Sequence, residues 1–360
     1  MIKNNEKIID FNICVNNEFV FEECKWYINR LIVPNGYEIS INPYRNASGI
    51  TGAYNSLMRN SDSKYRVYMH QDTFILNVNF IKDILKVFSS DDAIGMIGVL
   101  GADRLPQDAM CFNSWNLGGT YASNIISTFR HPEHENETLY KSDYVEADAI
   151  DGMIMITQYD LDWRDDLDLR WDFYDISQSL EFKRAGYKVV VPKQEGGFWC
   201  LHDCGISKMG GYDRAREIIL KEYKDYLEGE YKESSYAELD KLNDSVFRIE
   251  LSALEKGDLE KLISIDNEVY LNNNRKNSNI TYMHIFIMIL YAELEREAES
   301  FSFIGINLTF DEMVNKFVNI KFRIRRGLLN NTVGYEKTIL SNENVSTEAY
   351  KVIYNCATYL

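Results

Sequence analysis

The chain has 360 residues, which at roughly 150 residues per domain is enough for about two domains. It carries 39 Lys and Arg residues against 55 Asp and Glu residues, which gives a formal net charge of −16. Such an acidic chain is unsuited to nucleic-acid binding and to adsorption on anionic lipid, because both need clustered cations.

Short β-rich runs alternate with helical patterns in the first part of the chain. Apolar runs rich in Ile, Val and Tyr predict buried strands, and apolar positions at helical spacing predict the helices between them. The predicted strands cover residues 8–15, 37–42, 65–72, 94–101 and 187–192, and the predicted helices cover residues 18–31, 48–60, 80–88 and 175–186. This alternation indicates an α/β domain with a mainly parallel sheet, in which ligands collect at the carboxyl ends of the strands.

The composition changes near residue 228, and strand signals mostly stop beyond it. Helical periodicity recurs over residues 236–255, 258–271, 282–300, 311–325 and 347–359. We therefore predict an α/β domain over 1–228 and an all-helical domain over 229–360. The helical domain is expected to bind a substrate or a partner, or to hold a homo-oligomer together.

Targeting signals and membrane spans are not evident. The N-terminus has no apolar core of a signal peptide, and the apolar stretch at 280–290 is too short to cross a bilayer. Six cysteines in 360 residues, with no CxxC pair, are expected to be reduced thiols. The protein is expected to be cytoplasmic and not integral to a membrane.

The first chemical signal is the sequence HQD at residues 70–72, directly after a predicted strand. A carboxylate in that position lies beside any ligand bound at the sheet edge, so Asp72 is a candidate to hold a divalent cation that bridges to phosphate oxygens. A helix N-cap gives the same pattern and is the alternative for this residue taken alone.

The second signal is WDFYDISQSLEFKRAGYKVVVP at residues 171–192, in which two acids precede a helix that ends at Gly186. Asp175 is either a cap of that helix or a general base that accepts a hydroxyl proton.

The third signal is WCLHDCG at residues 199–205, which places His202 after a predicted strand. A single histidine is more often structural than catalytic, but the three signals in this order reinforce one another.

Taken together, residues 8–205 resemble the GT-A-fold glycosyltransferases of the family 2 type, and most of all the branch named for a streptomycin-biosynthesis protein. The resemblance is carried by the segments at residues 13–18, 52–72, 94–101, 151–167, 171–192 and 199–205. It implies a nucleotide-diphosphate-sugar donor and a divalent metal, Mn²⁺ or Mg²⁺.

The resemblance also implies roles for individual residues. HQD matches the family's DxD signature, so that Asp72 would bind the metal and His70 would replace the first carboxylate. His202 matches a late histidine that completes metal or diphosphate binding. Asp175 falls where the catalytic base lies, and Asp172 is the reserve candidate. The donor would be bound by residues at the strand ends and adjoining segments: Val15, Asn16, Arg45, Asn55, Gln71, Asp151 and Gly152.

The activity implied is an inverting transfer to a hydroxyl of a glycan, a lipid-linked sugar or a protein, in bacterial glycan biosynthesis, with UDP as the favoured donor nucleotide. Two alternatives stay open. HQD in place of two acids favours a non-catalytic GT-A module that binds a nucleotide sugar or a partner. A nucleotidyltransferase would need a Gly-rich, basic loop after the first strand, whereas residues 16–23 are acidic.

Overall fold

The computed structural model describes residues 5–111, 114–124, 127–131, 143–195, 197–202 and 211–229. The predicted helical domain therefore lies almost wholly outside the described residues, and its helices stay predictions. The chain divides into two compact units, one comprising 1–121, 129–202 and 209–233 and the other comprising 122–128, 203–208 and 234–360. The described helices all belong to the first unit.

Strands and helices alternate as predicted up to residue 98, apart from the short strand at 73–75, whereas the described elements from residue 94 to residue 157 are all strands. The strands are β1 (Asn5–Val15), β2 (Glu38–Arg45), β3 (Ser63–His70), β4 (Thr73–Ile75), β5 (Ile94–Gly98), β6 (Leu100–Ala102), β7 (Leu117–Gly118), β8 (Thr120–Asn124), β9 (Ser127–His131), β10 (Tyr144–Glu146), β11 (Ala149–Ile150), β12 (Ile154–Thr157), β13 (Lys188–Pro192) and β14 (Cys200–His202). The helices are α1 (Glu18–Ile28), α2 (Ile50–Arg59), α3 (Phe80–Ser90), α4 (Tyr174–Arg184) and α5 (Tyr212–Glu222), with short 3-10 helices at Asp165–Leu167 and Lys224–Tyr226.

The main sheet has seven strands in the order β10-β13-β5-β12-β3-β1-β2. The pairs β1–β2, β1–β3 and β5–β13 are parallel, whereas β12 runs antiparallel to both of its neighbours and β10 runs antiparallel to β13. Most strands thus share one direction, which confirms the α/β class, but the sheet is mixed because β12 is inserted between β3 and β5. The predicted strand at 94–101 is also divided, into β5 and β6.

Helices cover both faces of the sheet, as the alternation of side chains along β3 shows. Tyr65 stacks on Phe88 of α3 with ring centroids 5.7 Å apart. Tyr68, on the opposite face, lies 4.9 Å from Tyr54 of α2. His70 has the same parity as Tyr68 and therefore faces the side of α2 and α4.

A small antiparallel pairing brings a distant segment back to the end of β3. Strand β14 pairs with β4 so that His202 lies opposite Thr73. His202 is thus the last residue of a strand, rather than a residue after one as predicted. This pairing places the third predicted motif beside the first.

Four cysteines of the described part of the chain, Cys14, Cys24, Cys111 and Cys200, are free thiols. Burial raises the pKa of the Cys14 thiol to about 12, so this thiol is protonated at neutral pH. Within the described segments, no helix combines the length and apolar character needed to span a bilayer.

Candidate active site

Three predicted metal ligands converge where β3 ends and β4 and β14 meet. Their ligand atoms all lie within 4.8 Å of one another. His202 Nε2 is 3.4 Å from both His70 Nδ1 and Asp72 Oδ1, and His70 Nδ1 is 3.9 Å from Asp72 Oδ1. We call His70, Asp72 and His202 the metal-ligand cluster. It is the one group of this kind found among the described residues.

The electrostatics of this cluster keep its carboxylate ionised. Burial raises the pKa of Asp72, but the neighbouring imidazoles of His202 and His70 outweigh it and leave that pKa below its usual value. Burial lowers the pKa of His70, although the Asp72 charge opposes this effect. A lowered pKa favours the neutral His70 ring, which is the protonation state that binds a metal.

These residues fit a divalent cation. Among the described residues, the buried oxygen Asp72 Oδ1 has no partner in hydrogen-bonding geometry. Imidazole nitrogen and carboxylate oxygen are the ligands that first-row divalent ions take in proteins. This carboxylate oxygen and the imidazole nitrogens of His202 and His70, 3.4 Å and 3.9 Å from it, form one donor set.

Gln71, between the two ligands of the HQD motif, braces the loop that follows β1. Its Oε1 accepts hydrogen bonds from the backbone N–H groups of Asn16 and Asn17, each at 3.0 Å. Its Nε2 donates to Asn16 Oδ1. The structure thus places Gln71 against the loop, where it fixes the predicted donor residue Asn16.

The neighbouring ends of β1 and β2 carry two more predicted donor residues. Val15 is buried and pairs in register with Arg45. The exposed Arg45 guanidinium forms a bidentate pair with Glu18, with Nε–Oε1 at 2.6 Å and Nη2–Oε2 at 3.0 Å. Arg45 therefore stands at the expected sheet edge, paired to an acid of α1.

The candidate base lies in the first turn of α4. Asp175 Oδ2 accepts a hydrogen bond from the Gly152 N–H at 2.9 Å, and its Oδ1 accepts one from the Ile176 N–H at 2.8 Å. Burial and then the charge of Asp151 raise the pKa of Asp175 to about 7, against these two backbone hydrogen bonds, which lower it. A carboxylate that titrates near neutrality is suited to accept a proton from an acceptor hydroxyl.

Tyr174 joins the metal-ligand cluster to the candidate base, and sequence reasoning gave it no role. Its side chain is buried, and its hydroxyl forms a hydrogen bond with His70 Nε2. The same hydroxyl packs so closely against Gly152 that a Cβ there would collide with it. The one available signal was its place beside Asp175 in the motif, but that does not reveal which way the ring points.

The reserve candidate Asp172 has a different environment from Asp175. Its carboxylate lies against Gly211 at the start of α5, where any Cβ would collide with it. Burial raises the pKa of Asp172, and the charge of Arg214 partly offsets the rise.

Asn55, a predicted donor residue, is bonded to the backbone of the core. Its side chain is buried, and both ends of its amide bind the backbone of Trp163: Nδ2 donates to Trp163 O at 2.9 Å, and Oδ1 accepts from Trp163 N at 2.8 Å. A side chain engaged in this way anchors the segment after β12 to α2. The structure therefore shows Asn55 in a core contact, and its contact with the donor stays a prediction.

Comparisons with known proteins agree with this site at the level of the family. A family model described as "Glycosyltransferase like family" matches residues 10–223, which include every candidate site residue. No curated protein matches the chain. Among solved structures, a mannosyltransferase from Pyrobaculum calidifontis in complex with GDP-Man and Mn²⁺ is 10% identical, with 92% of this chain and 89% of that chain covered and a TM-score of 0.37. That likeness is too distant to identify a donor for this chain.

Proposed function

The chain belongs to the glycosyltransferase-like family, and we propose that it transfers a sugar from a nucleotide-diphosphate sugar to a hydroxyl acceptor. The prediction that the chain is a glycosyltransferase is confirmed at the level of the family. Metal dependence, inversion of configuration and the narrower relation to the branch named for a streptomycin-biosynthesis protein belong to the proposal.

One observation carries the proposal: the metal-ligand cluster and the candidate base are adjacent parts of one site. His70 belongs to the cluster and bonds to the Tyr174 hydroxyl, and Asp175 is the next residue of α4. A sugar transfer needs charge neutralisation at the leaving diphosphate and proton acceptance at the acceptor. The site brings groups suited to both tasks together.

The residues that would hold a divalent ion are His70, Asp72 and His202. Such an ion, when bound, would neutralise the negative charge that develops on the departing diphosphate. The lowered pKa of Asp72 suits this role, because the carboxylate stays ionised across the physiological range.

Asp175 would act on the acceptor side. In an inverting transfer one carboxylate takes the hydroxyl proton as the oxygen attacks the donor sugar on the face opposite the leaving group. The Gly152 N–H holds one oxygen of Asp175, and the second oxygen is bound by the Ile176 N–H in the first turn of α4. These bonds fix the orientation of the carboxylate before the acceptor arrives.

The donor nucleotide would lie along the ends of β1 and β2. Val15 and Asn16 would border the base and ribose, Arg45 would exchange its Glu18 partner for the nucleotide, and Asp151 with Gly152 would line the sugar. UDP is the donor nucleotide that we favour, and a glycan, lipid-linked sugar or protein hydroxyl is the proposed acceptor class.

A donor panel tests the proposal directly. The full-length protein with Mn²⁺ would be incubated with UDP-, GDP-, dTDP- and CMP-sugars, and release of the nucleotide would be measured with and without pooled acceptors. We expect release with one donor class, lost in EDTA. Tight nucleotide-sugar binding without release or transfer would overturn the enzymatic proposal and favour a non-catalytic binding module.

A further inference from the structure

The Tyr174 hydroxyl faces one nitrogen of His70, while the other nitrogen faces the metal-ligand cluster. His70 Nε2 bonds to Tyr174, and His70 Nδ1 lies 3.4 Å from His202 Nε2. The ring is thus held from its outer side, with its inner nitrogen directed at the position where a cation would bind.

Tyr174 is itself held rigidly. It is 5% exposed and lies in an aromatic group with Tyr54 and Trp163, with ring centroids 6.5 Å and 6.4 Å away. Because Gly152 has no side chain, the Tyr174 hydroxyl lies so close to it that a Cβ at this position would collide with the hydroxyl. The direction of the Tyr174 hydroxyl is therefore set by packing rather than by the hydrogen bond to His70 alone.

Binding of a cation by His70 would determine which of its two ring nitrogens carries the proton. A neutral imidazole has one N–H and one lone pair, and a metal takes the lone pair. If Nδ1 supplies that lone pair, Nε2 carries the proton and donates it to the Tyr174 oxygen. An outer hydrogen bond of this kind orients the ring and fixes the tautomer of a ligating histidine.

We propose that Tyr174 is a positioning residue that presents His70 Nδ1 to the cation. The resulting site selects transition ions such as Mn²⁺ over Mg²⁺, because it offers nitrogen atoms of His70 and His202 beside one Asp72 carboxylate. The inference rests on the proposed function for its cation. Mg²⁺ demands oxygen ligands and keeps its waters, whereas first-row transition ions accept imidazole readily. The replacement of a carboxylate by His70 therefore lowers the affinity for Mg²⁺ more than the affinity for Mn²⁺.

The test measures metal binding to the full-length protein without any nucleotide sugar. Loss of the free Mn²⁺ EPR signal gives the Mn²⁺ affinity, and competition gives the Mg²⁺ affinity. We expect tighter binding of Mn²⁺ than of Mg²⁺ by the unmodified protein. Tyr174→Phe should weaken Mn²⁺ binding by about 10–100-fold, the usual cost of losing an outer-shell partner of a ligand.

Tyr54→Phe is the matched control. Tyr54 is a buried tyrosine of the same aromatic group, but its hydroxyl donates to the Met69 carbonyl oxygen at 3.3 Å instead of contacting a cluster ligand. Its removal should leave the Mn²⁺ affinity unchanged. Equal loss in both variants, or wild-type affinity in Tyr174→Phe, would overturn the assignment.

His70→Asp tests the selectivity separately. This variant replaces an imidazole by a carboxylate, so the preference for Mn²⁺ over Mg²⁺ should narrow, and adding Tyr174→Phe to it should cause no further loss. An unchanged Mn²⁺-to-Mg²⁺ ratio would contradict the proposal.

Pulsed EPR of Mn²⁺ bound to the unmodified protein covers the case in which Tyr174→Phe does not fold. Two coupled imidazole nitrogens support the proposal, and one or none overturns it, as does failure of the unmodified protein to bind Mn²⁺. Because no donor is present, absence of sugar transfer in a separate assay counts against the proposed function alone.

Discussion

The end of β3 and the start of α4 each place a half-buried carboxylate in the site, yet the pKa values of the two move in opposite directions. At Asp72 the imidazoles of His202 and His70 outweigh burial and lower the pKa. At Asp175 the charge of Asp151 adds to burial and raises the pKa to about 7. The sign of the neighbouring charges, rather than depth in the protein, separates a carboxylate suited to a cation from one suited to a proton.

The difference also lies in what each carboxylate is bonded to. Asp175 accepts two backbone hydrogen bonds, from Gly152 and Ile176, so its geometry is complete without any ligand. Asp72 Oδ1, by contrast, has no partner in hydrogen-bonding geometry among the described residues. The backbone orients Asp175, whereas Asp72 Oδ1 faces the imidazole nitrogens of His202 at 3.4 Å and of His70 at 3.9 Å.

The largest effect is expected at the end of β3. Asp72→Ala removes the one carboxylate of the metal-ligand cluster, so metal-dependent binding of a nucleoside diphosphate should be abolished while the fold is kept. His202→Ala should weaken the same binding less, by about 10–100-fold. Calorimetry with and without Mn²⁺ measures both. Equal affinity of the unmodified protein in EDTA would show that the cluster does not serve the donor.

The next largest effect is expected at the start of α4. Asp175→Asn keeps the shape and one acceptor oxygen but cannot take a proton, so transfer should fall by roughly 10²–10⁴-fold. Donor affinity should change little, because the lost interaction belongs to the transition state. Initial rates and donor titrations separate the two quantities.

Asp172→Asn is the control for that variant and should have the smaller effect, since the Asp172 carboxylate packs against Gly211. If Asp172→Asn were inactive and Asp175→Asn nearly normal, the base would be Asp172 and Asp175 would be a helix cap. If both variants transferred sugar at the normal rate, neither carboxylate would act as a general base.

A smaller effect tests whether the charge of Asp151 raises the pKa of Asp175. A base must be deprotonated to act, so kcat/KM should rise with pH through a midpoint near the raised pKa of Asp175, about 7. Asp151→Asn removes the like charge that helps raise this pKa, so the midpoint should move to lower pH. The substitution keeps an oxygen to accept the Met153 N–H, which Asp151 now binds at 2.9 Å. A midpoint that stays or rises would contradict the assigned cause.

The smallest effect is expected from removal of the predicted helical domain. Both carboxylates and all their described partners lie before residue 203, so a 1–228 fragment should bind nucleotide with unchanged affinity. A fragment that is folded by circular dichroism but does not bind would show that residues beyond 228 complete the donor site. The matching 229–360 fragment should be almost wholly helical.

The alternation of strands and helices was readable from the sequence because each element has its own local periodicity. Strand β12 could not be predicted from the sequence, although Ile154–Thr157 is a run of four buried residues. A short apolar run of this kind has no periodicity that distinguishes strand from helix. Its antiparallel place between β3 and β5, and hence the mixed sheet, depends on pairing partners far along the chain.

The site residues divide in the same way. Asp72, His202 and Asp175 lie in distinctive motifs, so the sequence alone identified them as candidate site residues. Asn55 was predicted to bind the donor, but a motif does not reveal that both ends of its amide are bonded to Trp163. Tyr174 was overlooked, because its significance comes from a hydroxyl that reaches His70 across 104 residues of chain.

The sequence by itself determined the α/β class, the family and the residues that end up at the strand ends, because periodicity and motifs are local properties of the chain. Tertiary structure alone decided which of these residues meet. It joined His70 to His202 across 132 residues, and it set the pKa of Asp72 and of Asp175 in opposite directions. Electrostatic and hydrogen-bonding energies depend on distance in space, and that distance is unrelated to separation along the sequence.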